Sequence, residues 1–244
     1  MNLVDHLNVL VFSCLYPIYV FFTYRKVKND LIENKPGIRI GDYKETIFWL
    51  WLLCVITIII WISNDRMFIV LRLDFSFSWV VLTSILLFFI TPFLFLLLFR
   101  SIRNHDEKRE SIKEKLDRVS ANEFLPRSKK EFKWFVFLSI TAGICEELLF
   151  RGFLIWYFET LTNTFLAILL SSILFGAAHS YQGVKGFIRS GFLGLILALI
   201  LIWTDSLLIP IFIHIAGDIY NGIVGWLGYG EFKKLNIKKS ANNK

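Results

Sequence analysis

The sequence predicts an all-α membrane protein, a polytopic bundle of about seven transmembrane helices. Hydrophobic residues make up 55% of the 244-residue chain, and the mean hydropathy is +0.57. These residues are gathered in blocks long enough to cross a hydrocarbon layer about 30 Å thick. Within lipid each block must be helical, because a helix satisfies its own backbone hydrogen bonds.

The predicted spans follow one another along the whole chain. Their edges are set where charged or turn-forming residues interrupt the apolar blocks. They cover residues 7–24, 46–63, 77–99, 133–158, 164–180, 187–203 and 206–228.

The distribution of basic residues predicts the orientation. Nearly all of the 27 Lys and Arg residues fall in every second loop and in the C-terminal tail. Basic loops stay in the cytoplasm, so we expect the N-terminus on the outer side of the cell membrane and the C-terminus on the cytoplasmic side. The net charge of +7 then reflects topology and contact with the bilayer, and it gives no reason to expect a nucleic-acid partner.

The chain is predicted to divide in two. Residues 1–131 would form three transmembrane helices and a charged cytoplasmic segment, in which Ile112, Leu116 and Val119 share one helical stripe. That stripe is typical of an amphipathic helix at the membrane interface, although a solvated linker is an equal alternative. Residues 132–244 would carry the buried polar chemistry and a basic tail.

Two glutamates and an arginine interrupt the fourth span. Glu147 and Arg151 are four residues apart and can neutralise each other on one helix face, whereas Glu146 points about 100° away. Each ionisable group near the bilayer centre costs about 2.5–3.5 kcal/mol of insertion free energy, so three of them together indicate a functional site. Glu146, which has no charge partner, is the candidate general base. The alternative is a buried ion network that only fixes helix packing.

Two histidines fall within later spans. His179 follows Phe175 by one helical turn, and His214 is followed on the same face by Asp218 and Asn221. A lone histidine in a membrane span is often a packing residue. Two of them in the half of the chain that also contains the glutamates predict one shared site.

These residues form three motifs in a fixed order. Glu146–Arg151 matches E-E-x-x-x-R, Phe175–His179 matches F-x-x-x-H, and His214–Asp218 matches H-x-x-x-[N/D]. Together they resemble the CAAX protease and bacteriocin-processing (CPBP, Abi) family of glutamic intramembrane proteases. The resemblance covers about residues 132–228, and the first three spans carry no motif of the family.

The resemblance implies an intramembrane endopeptidase without cofactor or metal. The residues matching Glu146 and His179 would activate a water molecule, and those matching His214 and Asp218 would stabilise the oxyanion. Many members have Asn in place of Asp218, so either Asp218 orients His214 or Asn221 supplies the amide donor. The supporting residues would be Glu147, Arg151, Phe175 and Asn221.

The motifs leave the substrate and two other functions open. The substrate would be a peptide or a membrane protein, in bacterial peptide processing, in pheromone or bacteriocin maturation or immunity, or in CAAX trimming. One alternative is a non-catalytic membrane scaffold of the same fold that regulates a partner protein. Another is a metal-dependent membrane hydrolase, although no H-E-x-x-H helix is present. A proton-coupled transporter would show broken helices or inverted repeats.

Overall fold

The computed structural model describes residues 1–73, 79–103, 105–118 and 122–230, and in these ranges the chain is helical, with no strand. This confirms the all-α prediction. We number the long helices α1 to α8. They are α1 (Leu3–Ile32, with a π-helical turn at Val11–Leu15), α2 (Ile38–Ser63), α3 (Trp79–Arg103), α4 (Asp106–Leu116), α5 (Lys129–Glu146, the π-helical segment Glu147–Leu154, and Ile155–Glu159), α6 (Thr164–Ala178), α7 (Gly183–Thr204) and α8 (Leu208–Tyr229).

Each predicted span overlaps one helix, although the first two residues of the span 77–99 lie outside the described ranges. Among the described residues, four apolar helical segments are long enough to cross a membrane: Leu3–Ile32, Ile38–Ser63, Ser180–Thr204 and Leu208–Tyr229. The total of seven crossings and their orientation stay predictions.

The start of α5 is fixed by a capping box. The Ser128 side chain accepts a hydrogen bond from the backbone N–H of Glu131, and the Glu131 carboxylate accepts one from the backbone N–H of Ser128. Both bonds satisfy donors that a helix start leaves free. The register of the helix that carries Glu146 is therefore set at its first turn.

Glycines allow close contact between the helices that carry the motifs. A Cβ added at Gly176 in α6 would lie 2.7 Å from the Phe187 carbonyl oxygen of α7 and 3.2 Å from Gly191. A Cβ added at Gly143 in α5 would lie 2.4 Å from the Ile215 side chain of α8. Small residues at such crossings let the backbones approach, which places α6 against α7 and α5 against α8.

The charged helix α4 packs on protein. A Cβ at Gly228, near the end of α8, would lie 2.9 Å from Leu116 and 3.2 Å from Ile112. The Arg109 guanidinium also donates to the carbonyl oxygens of Leu227 (3.0 Å) and Gly230 (2.6 Å). The segment therefore forms a helix whose apolar stripe contacts α8, and its place at the membrane interface stays a prediction; Val119 lies outside the described residues.

Buried polar groups also occur in the first half of the chain, outside the predicted spans. Arg39 is fully buried, and its guanidinium donates to the carbonyl oxygens of Glu123 and Leu31 at 2.8 Å each. The buried Asp5 carboxylate accepts two hydrogen bonds of 2.7 Å from Arg66. These contacts fasten the N-terminal helices to neighbouring segments.

The N-terminal helices share one core with α5. Leu50 and Cys54 of α2 pack in the same buried cluster as Ala142 and Cys145 of α5. The α2 helix therefore lies directly beside the helix that carries the glutamates. The division of the chain at residue 131 remains a proposal.

Candidate active site

The paired glutamates lie where α5 changes its winding. Glu146 ends the first α-helical part, and Glu147 begins the π-helical segment that runs to Leu154, all of it buried. A π-helix bonds each residue to the fifth one along the chain, so it alters the angles between side chains that an α-helix would give. The apolar pattern of the sequence gave no sign of this change.

Glu147 is the centre of a buried polar cluster. Its Oε1 lies 3.1 Å from an Arg151 guanidinium nitrogen, so the expected ion pair is present, and both side chains are at most 1% exposed. The same oxygen accepts a hydrogen bond of 2.7 Å from His214 Nδ1. The Arg151 guanidinium also lies 4.0 Å above the Phe175 ring, a cation–π contact.

This cluster is not fully satisfied within the described ranges. Glu147 Oε2 and both terminal guanidinium nitrogens of Arg151 lack a hydrogen bond there. The 3.1 Å contact between Arg151 Nη1 and Glu147 Oε1 is an ion pair without hydrogen-bond geometry. A Cβ at Gly194 of α7 would lie 3.1 Å from the Arg151 guanidinium. The glycine therefore makes room for the cation.

Glu146 and Asp218 approach the other nitrogen of His214. His214 Nε2 lies 3.8 Å from Glu146 Oε2 and 3.7 Å from Asp218 Oδ2, both beyond hydrogen-bond distance. The Glu146 side chain is 15% exposed and that of Asp218 is 34% exposed, in contrast to the fully buried Glu147. Both carboxyl groups therefore remain accessible to water or a ligand.

His179 is held by its own helix. Its Nδ1 lies 2.9 Å from the Phe175 carbonyl oxygen, which can only accept, so Nδ1 carries the proton and Nε2 is left as an acceptor. The Phe175 ring contacts both histidines, with centroids 4.7 Å from His179 and 6.1 Å from His214. Phe175 therefore spaces the two imidazoles.

One cavity of about 710 Å³ brings the predicted groups together. Its wall includes Glu146, Phe175, His179, His214, Asp218 and Asn221, but neither Glu147 nor Arg151. The ion pair therefore lies behind the cavity wall and the other titratable groups face the cavity. Among the described residues, no group of three or more His, Cys, Asp or Glu residues could hold a metal ion.

The cavity also has a wall that the motifs do not reveal. Tyr16 of α1, and Asp42 and Trp49 of α2, face the same space as Glu146. No pattern in the sequence marks these residues, because only the packing of α2 on α5 brings them to the site.

Residues 128–220 match the family model described as type II CAAX prenyl endopeptidase Rce1-like. This region belongs to the CPBP family. The match runs from the cap of α5 into α8 and includes all the predicted catalytic residues, while Asn221 lies one position beyond it. The CPBP assignment and the apolar helices together indicate a multi-pass membrane protein of a protease family. No curated protein and no solved structure matches the chain.

Proposed function

We propose that this protein is an intramembrane glutamic-type endopeptidase in which Glu146 and His179 activate a water molecule. The observation that carries the proposal is the different placement of the two adjacent glutamates. Glu147 is buried against Arg151 and His214, whereas Glu146 faces the cavity and makes no hydrogen bond within the described residues. A general base must be within reach of the water molecule whose proton it takes, and a side chain that faces the cavity meets this condition.

Hydrolysis would begin with water between Glu146 and His179. His179 Nε2 can accept a hydrogen bond from the water, because Nδ1 donates to Phe175. Glu146 takes the other proton as the water oxygen adds to the peptide carbonyl carbon, and the carbonyl electron pair moves to its oxygen. Glu146 then returns the proton to the leaving nitrogen as the oxyanion re-forms the C=O bond and the C–N bond breaks, giving a carboxylic acid, which keeps the second water proton, and an amine.

His214 would stabilise the negatively charged oxygen of that intermediate. Its Nδ1 is engaged with Glu147, which leaves Nε2 on the cavity side. In the doubly protonated imidazole, Nε2–H donates to the oxyanion, and this placement of a donor before the reaction is the main electrostatic contribution in such sites.

The short contact to His214 changes the role proposed for Asp218. Glu147 lies 2.7 Å from Nδ1, so we assign the orientation of the ring to Glu147. Asp218, 3.7 Å from Nε2, contributes negative charge beside the imidazole. Asn221 lines the cavity and stays available as a neutral donor.

We propose a peptide or a membrane-associated protein as substrate. The family description names prenylated CAAX substrates, so a farnesylated peptide with a C-terminal CAAX sequence is the first probe. Bacterial peptide processing, pheromone or bacteriocin maturation and immunity are the competing roles, for which unmodified peptide precursors are the corresponding probes.

The test uses purified protein in nanodiscs with quenched fluorescent peptides of both kinds. We expect cleavage of at least one probe, and accumulation of its natural counterpart in membranes of cells that carry Glu146→Ala. Binding of a probe without any cleavage would contradict the peptidase and favour the scaffold function.

A further inference from the structure

Tyr16 lies in the catalytic cavity although it belongs to a helix outside the family match. It directly follows the π-helical turn of α1, and its ring centroid is 6.4 Å from those of Tyr19 and Trp49. Tyr16 lines the same cavity as Glu146. The ring is thus held by aromatic neighbours in the wall of the cavity that contains Glu146.

The hydroxyl groups of the other cavity tyrosines already have partners. Tyr19 donates to Glu45 at 2.6 Å, Tyr24 donates to Glu123, and Tyr43 donates to the Phe124 carbonyl oxygen.

The Tyr181 oxygen accepts a hydrogen bond of 3.0 Å from Gln182, and its own O–H group donates to no acceptor among the described residues. In the part of the chain that the structure describes, the Tyr16 hydroxyl makes no hydrogen bond, and Tyr16 lines the cavity.

A phenol in this position has a chemical consequence. A phenylalanine would make the same ring contacts, so the hydroxyl adds only a hydrogen-bond donor. Water can accept that bond while the cavity is empty. A peptide entering the cavity displaces the water and must offer an acceptor in its place, because a buried donor left unpaired costs binding free energy. Each residue of a peptide carries such an acceptor in its backbone carbonyl.

We propose that Tyr16 is a substrate-binding residue whose hydroxyl donates to a backbone carbonyl of the peptide bound beside Glu146. The inference rests on the proposed function, since the ligand must be a peptide. It assigns part of substrate binding to the N-terminal helices, outside residues 128–220.

The experiment measures peptide binding separately from cleavage. A fluorescein-labelled, farnesylated CAAX peptide and its unmodified form are titrated into Glu146→Gln protein in nanodiscs, and Kd is read from fluorescence anisotropy. Tyr16→Phe is added to this background, with Tyr19→Phe as the matched control, because the Tyr19 hydroxyl already donates to Glu45. Loss of one hydrogen bond to the ligand predicts binding about three- to tenfold weaker for Tyr16→Phe.

Kinetics and stability separate binding from a structural effect. In the protein that retains Glu146, Tyr16→Phe should raise KM with little change in kcat, as expected for an interaction equally strong in ground state and transition state. The thermal midpoint should stay unchanged, since the ring contacts remain.

The possible outcomes separate this proposal from the proposed function. Unchanged Kd and KM in Tyr16→Phe, or equal losses in Tyr19→Phe, overturn the role of Tyr16 while cleavage stands. A loss of binding specific to Tyr16→Phe in a protein that never cleaves supports Tyr16 and overturns the peptidase. Absence of any peptide binding by the Glu146→Gln parent overturns both.

Discussion

Removal of either partner of the Glu147–Arg151 pair should strongly destabilise the protein. The two side chains are 0% and 1% exposed and lie 3.1 Å apart, so the loss of Glu147 leaves Arg151 as an uncompensated buried charge, and the loss of Arg151 leaves Glu147 with His214 as its remaining partner. Such a loss typically costs about 3–5 kcal/mol. At about 2–4 °C per kcal/mol for a chain of this size, we expect Glu147→Gln or Arg151→Met to lower the thermal midpoint by about 6–20 °C.

The assay is a double-mutant cycle on thermal unfolding in detergent. The double variant Glu147→Gln/Arg151→Met should be less destabilised than the sum of the single variants, because it removes both members of the buried ion pair. A matched control is the more exposed pair Arg72–Glu159, at 3.6 Å, where the coupling should be about 0–1 kcal/mol.

The hydrogen bond to His214 adds an effect on activity. Glu147→Gln replaces the charged acceptor that orients the imidazole, so the rate should fall even at temperatures where the variant is folded. Additive effects of Glu147→Gln and Arg151→Met on stability would refute the reasoning about the pair.

Three further predictions concern the site and its supporting helices. Asp218→Asn should lower the cleavage rate and shift the pH–rate profile between pH 5.5 and 8.5, because it removes a charge 3.7 Å from His214 Nε2. A wild-type rate with an unshifted pH–rate profile would instead assign stabilisation of the oxyanion to position 218. Gly176→Ala should lower the thermal midpoint, because its Cβ would lie 2.7 Å from a backbone oxygen. Gly217→Ala is the control and should leave the midpoint unchanged, because a Cβ there has no atom within 4 Å. Equal midpoints for the two variants would contradict the close contact of α6 with α7. Cleavage should survive EDTA and 1,10-phenanthroline, and activity restored specifically by Zn²⁺ would favour the metal-dependent hydrolase.

Much of the fold follows from the sequence because a membrane span must be helical. Each apolar block therefore predicts one helix, and the three motifs predict which helices meet. The spacing of Glu147 and Arg151 also predicted their pairing, since residues four apart share a helix face.

Contacts between distant helices could not be predicted in the same way. The bond from His214 to Glu147 joins residues 67 positions apart, and no spacing rule relates them. The cavity wall at Tyr16 and Asp42 depends on the packing of the N-terminal helices on α5. The stripe of α4 indicated an apolar contact, but whether lipid or α8 covers it is decided by the tertiary fold.

The most direct test of Glu146 as the general base is the cleavage rate of Glu146→Gln on a quenched peptide in nanodiscs. The amide keeps the shape of the side chain and removes the base, so we expect the rate to fall about 10²- to 10⁴-fold while the protein still inserts and binds the peptide. Glu159→Gln is the control, because it makes the same substitution in α5 away from the cavity. Near-normal cleavage by Glu146→Gln would contradict the account.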